Sequence, residues 1–103
     1  MNKHTLMLTG HAVADMEELE TKSGKKFRKL RVAVNEYKGE EHGEHAHFYD
    51  VTCFNGQPFA QAEEVKKGEA VMVAGVPRMS AYINKDGEAS VNLGLNAKYL
   101  ERH

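Results

Sequence analysis

The sequence predicts an all-β fold: five short strands rolled into a barrel, with one short helix between the third and the fourth. Three observations predict it. Turn-forming residues punctuate the chain at Ser23-Gly24, from Lys38-Gly39 to Gly43, at Asn55-Gly56, at Gly68 and at Asp86-Gly87. Between them apolar and polar residues alternate with period two, the pattern of a half-buried strand. A single stretch breaks that rhythm. From Pro58 to Lys67 the residues Phe59, Ala62 and Val65 share one helical face, with Pro58 near the first turn and Gly68 as the stop.

Successive residues of a strand point to opposite faces, so each run assigns its own core side. The first strand runs through Leu6-Met7-Leu8-Thr9-Gly10. In the second, Leu30, Val32 and Val34 share a face, and Lys29, Arg31, Ala33, Asn35 and Tyr37 take the other. In the third, Tyr49, Val51 and Cys53 oppose Phe48, Asp50, Thr52 and Phe54. The fourth buries Val71 and Val73; past Gly75 and Pro77 it sets Arg78, Ser80 and Tyr82 on one side. Asp86-Gly87 makes the hairpin turn into the last strand, because glycine accepts the positive φ such turns require. That strand sets Val91, Leu93, Leu95, Ala97 and Tyr99 against Ser90, Asn92, Asn96 and Lys98. Met7 and Met72 are expected as core filler. Five strands with one helix between the third and fourth is the element order of an OB-fold barrel.

At 103 residues the chain is expected to be one domain, spanning 1–103. No apolar run approaches the ~20 residues of a membrane-spanning helix. The start, Met1 to Ala12, lacks the apolar core of a signal peptide. A lone cysteine, Cys53, cannot form an internal disulfide, so a reducing cytoplasm is the expected location. These features exclude a helical membrane protein, a disulfide scaffold and a multi-domain enzyme.

The net charge is −1, yet the charges are segregated. Residues 22–38 carry Lys22, Lys25, Lys26, Arg28, Lys29, Arg31 and Lys38 against the single acid Glu36, seven minus one or +6. The remaining 86 residues sum to −7. A basic stripe in a near-neutral chain is the footprint of a polyanion-binding surface or simply a solvated strand and turn.

The polar faces decide between those readings. A large ring on the same face as Lys, Arg, Asp and Thr needs an explanation that an inward-facing ring does not. Tyr37, Phe48, Phe54 and Tyr82 meet that description, interleaved with Lys29, Arg31 and Arg78. Flat rings and cations on one curved sheet form a stacking surface for unpaired bases, with the cations taking the phosphates.

The chain also resembles a known family, the bacterial single-stranded DNA-binding proteins. Asn2-Lys3 with Leu6 to Gly10 is similar to that family's first strand, and Ser23-Gly24-Lys25 with Leu30 to Asn35 to its second. Phe48 to Phe54 resembles the central strand. Lys66-Lys67-Gly68 followed by Val71-Met72-Val73-Ala74-Gly75 is the most specific match. The resemblance covers residues 2 to about 99. It implies an OB-fold, single-stranded DNA as partner, assembly as tetramers, and contacts to other replication proteins; a homotetramer or homodimer is expected here, with the edge of the first strand near His4 to Thr9 as its seam. It places stacking rings on Phe48, Phe54, Tyr82 and Tyr37, and a basic contact on Arg78. Three departures stand out. The chain has no Trp where the family often uses one, Ser80 replaces a frequent basic residue, and Asp50 puts a carboxylate between Phe48 and Phe54. The family's usual Gly/Pro-rich linker and acidic tip do not follow before His103, so either they were left off or the chain is a tailless relative. A tailless relative with the same fold, primosomal replication protein N, supplies the alternative reading: an adaptor in replication restart whose protein contacts dominate.

Other constellations carry less chemistry. His42, His45 and His47 lie among acids in a hairpin loop with no fourth ligand fixed nearby, which reads as solvated rather than metal-binding. Cys53 alternates onto the apolar face, where thiols are inert. Glu17-Glu18 read as a turn and Glu63-Glu64 as a helix surface. No phosphate loop, catalytic triad or zinc spacing is present. The expectation is therefore a binding protein without cofactor, metal or catalytic site.

Overall fold

The strand register explains how so short a chain encloses a core. The computed structural model describes residues 4–37 and 44–103; the side chains of Tyr37 and Glu44 lie outside the description. The elements are β1 (Leu6–Ala12), β2 (Glu17–Glu20), β3 (Lys26–Tyr37), β4 (Glu44–Cys53), α1 (Gly56–Ala62), β5 (Ala70–Ile83) and β6 (Ala89–Arg102). They form one sheet in the order β1-β5-β6-β4-β3-β2, with β1 also paired to β3. That last pairing, His11 to Ala33 and Ala12 to Val32, closes the sheet on itself. Among the described residues all pairings are antiparallel except β4 with β6, where Asp50–Thr52 run parallel to Gly94–Asn96.

The sheet has six strands rather than the expected five. The extra one is β2, which includes the Glu17-Glu18 pair expected as a turn. Its four residues, Glu-Glu-Leu-Glu, carry almost no apolar alternation, so nothing local marks them as a strand. They are held by β3, whose Lys26–Lys29 stretch pairs Glu20–Glu17. The long β3 edge is thus shared: β2 takes its beginning and β1 its middle. With β2 counted, the helix lies between the fourth and fifth strands.

The core contains Leu8, Leu30, Val32, Val51, Val71, Val73, Leu95 and Leu100, with Ala62 and Val65 closing one end. Burying each such side chain contributes roughly 1.5–3 kcal/mol. Alternation places Leu30, Val32, Val51, Val71 and Val73 correctly. Met7 is not core filler: it is 66% exposed, because Leu8 takes the inward position of β1.

The last strand departs from clean alternation. Ala74 pairs Tyr99 and Gly75 pairs Ala97, so Lys98 is an extra residue on β6. A bulge of this kind reverses which residues face in. Leu95 and Ala97 point inward before it and Leu100 after it, and Tyr99, expected inside, is turned out. Gly75 permits the close approach, since a Cβ there would collide with the Asn96 carbonyl oxygen.

The helix is shorter than Pro58–Lys67. It starts at Gly56, so Pro58 falls in its first turn, and stops at Ala62; tighter turns follow, with Glu64 and Val65 N–H groups donating to Gln61 and Ala62. Gly68, at φ +89°, donates its N–H to the Ala12 carbonyl and turns the chain into β5. The Gln57 side chain pairs both ways with Leu100, donating at 2.6 Å and accepting at 2.9 Å, which ties the helix start to β6.

Candidate nucleic-acid interface

The outer faces of β3, β4, β6 and β5 form one continuous surface, and their register decides what meets on it. Lys29 lies opposite Thr52, and Arg31 opposite Asp50. Asp50 lies beside Gly94, and Gly94 opposite Arg78. Two hollows cross this surface. The larger, about 710 Å³, includes Phe27, Lys29, Phe54 and Arg78 in its lining. The smaller, about 260 Å³, lies against Arg31, His47, Phe48 and Tyr82. Asp50, Asn92 and Leu93 border both, so the two hollows adjoin on one face and are together termed the groove.

Six of the seven side chains expected at the site line this groove: Lys29, Arg31, Phe48, Phe54, Arg78 and Tyr82. The seventh, Tyr37, holds the register position opposite Glu44 at the end of β3, and its side chain lies outside the described residues. The rings are open to solvent, Phe48 by 43%, Phe54 by 37% and Tyr82 by 44%. Aromatics held half-exposed among cations on a rigid sheet offer flat faces to a planar ligand.

The cations are held in different ways. The Arg31 guanidinium lies 5.0 Å from the Phe48 ring centroid and 3.5 Å from an Asp50 oxygen. Both contacts are half in water and contribute little, of order 0.5–1 kcal/mol each. Arg78 reaches over Gly94 and donates from Nη2 to the Thr52 hydroxyl at 2.9 Å. Lys29 lines the larger hollow with no ion pair among the described residues.

Arg28, counted in the basic stripe, belongs to the framework. It is 13% exposed, donates to the Phe59 carbonyl at 2.6 Å, pairs with Glu18 at 3.2 Å and stacks over the Phe59 ring. Lys38 and His42 lie outside the described residues. His47 lies 3.1 Å from Glu36, and no metal-holding group of His, Cys, Asp and Glu occurs among the described residues. Cys53 is fully buried; burial pushes its thiol up to about 12, with Arg28 opposing, so it stays protonated at neutral pH.

Sequence reading missed Phe27, Leu19 and Gly94. Phe27 packs on Phe54 with centroids 5.6 Å apart and a tilt of 38°. The signal was present: Phe27 alternates with Lys29 and Arg31 and so shares their face. Leu19, opposite Phe27, had no such signal because β2 itself had none.

A family model described as "Single-strand binding protein family" matches residues 1–102. No curated protein matches the chain. Among solved structures, a small single-stranded DNA-binding protein from Streptomyces coelicolor superposes with a TM-score of 0.77 at 18% identity, over 100% of this chain and 96% of that one. A Plasmodium falciparum SSB in complex with ssDNA superposes at 0.67 with 15% identity, over 100% and 97% of the two chains. At these identities the likeness concerns the fold, which is the OB-fold expected from the element order with a sixth strand added. None of these matches favours the primosomal alternative.

Proposed function

The chain belongs to the single-strand binding protein family, and from that premise we infer that it binds single-stranded DNA with little sequence preference along this groove. Bases stack on Phe48, Phe54, Tyr82 and Tyr37; phosphates meet Lys29, Arg31 and Arg78. The observation that carries this reading is the set of three half-exposed rings interleaved with those cations on one face. Stacking contributes roughly 1–3 kcal/mol per base and is indifferent to base identity. A base whose face lies on a protein ring is withdrawn from the duplex stack, so binding keeps the strand open and protected during replication, recombination or repair. The protein acts by binding, not by catalysis.

Self-association fits the same reading. Met7, Ala74 and Tyr99 line up across β1, β5 and β6, next to exposed Val76, as an apolar patch outside the lining of the groove. Among the described residues the Leu6–Thr9 stretch of β1 pairs only with β5, leaving one edge open to a second copy as homodimer or homotetramer. Other replication proteins are further partners. A buried free thiol suits the cytoplasm, and no helix among the described residues is long and apolar enough to cross a membrane.

The test is a fluorescence-anisotropy titration with labelled oligo-dT at two salt concentrations, using the parent and a Phe48→Ala/Phe54→Ala variant. The parent binds, salt weakens it, and the variant loses roughly 2 kcal/mol or more. A folded parent that fails to bind at low salt overturns the reading.

A further inference from the structure

The groove does not end at Phe54. That ring is shared between the larger hollow and a third cleft of about 400 Å³ on its other side. The cleft lies between the start of β3, the start of α1 and the bulged part of β6, and Lys25, Asn55, Gln57, Asn96 and Lys98 line it. Its size falls within the ~300–1,000 Å³ range of small-ligand sites.

Three features make it a built cleft. One wall is pinned by the two hydrogen bonds of Gln57 to Leu100. A second wall exists because of the bulge: Lys98 is the inserted residue, and bulges re-aim side chains at functional edges. The third is the Phe54 ring, with Lys25 Nζ 5.9 Å from its centroid.

The charge in the cleft is uncommitted. Arg28 and Arg102 are tied up in ion pairs with Glu18, Glu63, Glu64 and Glu69. Among the described residues Lys25 and Lys98 have no ion-pair partner, and no acidic side chain lines the cleft with them. Two free ammonium groups beside an open aromatic ring match a nucleotide phosphate next to a stacked base.

We propose that this cleft is a further nucleotide subsite, in which the strand turns over Phe54 and Lys25 and Lys98 hold the phosphate of the next nucleotide. The proposal rests on the single-strand reading and extends its path beyond the groove. It gives the β6 bulge a role in setting the length of strand bound.

The test compares the parent, a Lys25→Gln/Lys98→Gln variant and a Lys66→Gln/Lys67→Gln control, which removes equal charge from the turn after α1. Each is titrated with oligo-dT of increasing length at several salt concentrations. The Lys25/Lys98 variant is expected to lower the slope of log affinity against log salt by about 0.7 for each phosphate it no longer neutralises, with the control unchanged. Its affinity is also expected to stop rising at a shorter oligonucleotide than the parent's. A variant with the parent's slope and length plateau overturns the subsite while the groove stands. Equal losses in variant and control also overturn it, by showing only a diffuse charge effect. No binding by the parent overturns both readings together.

Discussion

Arg78 and Thr52 are joined by a 2.9 Å hydrogen bond although their strands, β5 and β4, are separated by β6. The bond passes over Gly94, the register partner of Arg78 and the neighbour of Asp50. A Cβ on Gly94 would lie 3.6 Å from Arg78 Nη2, so any larger side chain meets the guanidinium in its path. The absence of a side chain on β6 thus lets a cation from one strand sit in the middle of the groove. Thr52→Val keeps the shape and removes the acceptor. It is expected to cost about 1 kcal/mol of stability in urea denaturation and to weaken oligo-dT binding, since Arg78 loses its anchor. Gly94→Leu is expected to weaken binding more than Thr52→Val does. Unchanged binding in both variants would show that Arg78 does not act from this position.

Asp50 opposes the proposed ligand. Its carboxylate lies between the two hollows and 3.5 Å from Arg31, where it occupies the place of a phosphate beside that guanidinium. Asp50→Asn removes the charge at nearly constant shape. The expected outcome is tighter oligo-dT binding by roughly 1 kcal/mol at low salt, shrinking as salt screens the difference. Equal affinities for parent and variant at low salt would sink this account.

Arg28 separates structural from functional charge. Its guanidinium stacks 4.0 Å from the Phe59 ring centroid and bonds the Phe59 carbonyl, clamping α1 to β3. Arg28→Met is expected to lower stability by about 2 kcal/mol, the scale of a partly buried hydrogen bond from a charged donor. The salt slope of DNA binding should be the parent's. A reduced slope in a folded variant would place Arg28 on the ligand instead.

Acid sensitivity has an identifiable contributor. Glu69 has its carboxyl lowered below the ordinary 4.5, chiefly by the Arg102 side chain and then by the Lys66 N–H. Arg102 Nη2 lies 2.8 Å from Glu69 Oε2, joining the end of β6 to the turn before β5. A group whose folded value is depressed stabilises the fold above its unfolded value and loses that contribution as pH falls through the folded one. Stability therefore declines in part through this pair below pH 4.5. Glu69→Gln should flatten that part of the acid limb and leave neutral-to-alkaline pH dependence alone, read from urea midpoints across pH. An acid limb identical to the parent's would exclude the pair.

Much of the site is legible in the sequence because alternation is local. It assigns Phe48, Phe54, Lys29, Arg31, Arg78 and Tyr82 to a polar outer face strand by strand, and the structure brings them to one groove. Phe27 obeys the same alternation two residues before Lys29 and was as legible as the rest, though missed. Leu19 and β2 were not legible, since a strand of mostly Glu is defined by its partner rather than by its own pattern. Alternation fails at Tyr99 because a bulge depends on a neighbouring strand's glycine, Gly75, and nothing within β6 signals it.

By itself, then, the amino-acid order determined the element sequence, the two faces of most strands and the rings and cations available to a ligand. Each of these follows from periods of two or 3.6 residues, which side chains impose on their own segment. The tertiary structure alone decided that β1 closes the sheet, that Lys98 is bulged outward and that Gly94 opens a path for Arg78. It also decided that Arg28 is consumed by Glu18 and Phe59 whereas Lys29 has no ion pair among the described residues. These outcomes depend on which residues of distant segments face one another, and register between strands is set by the closure of the whole sheet around its core.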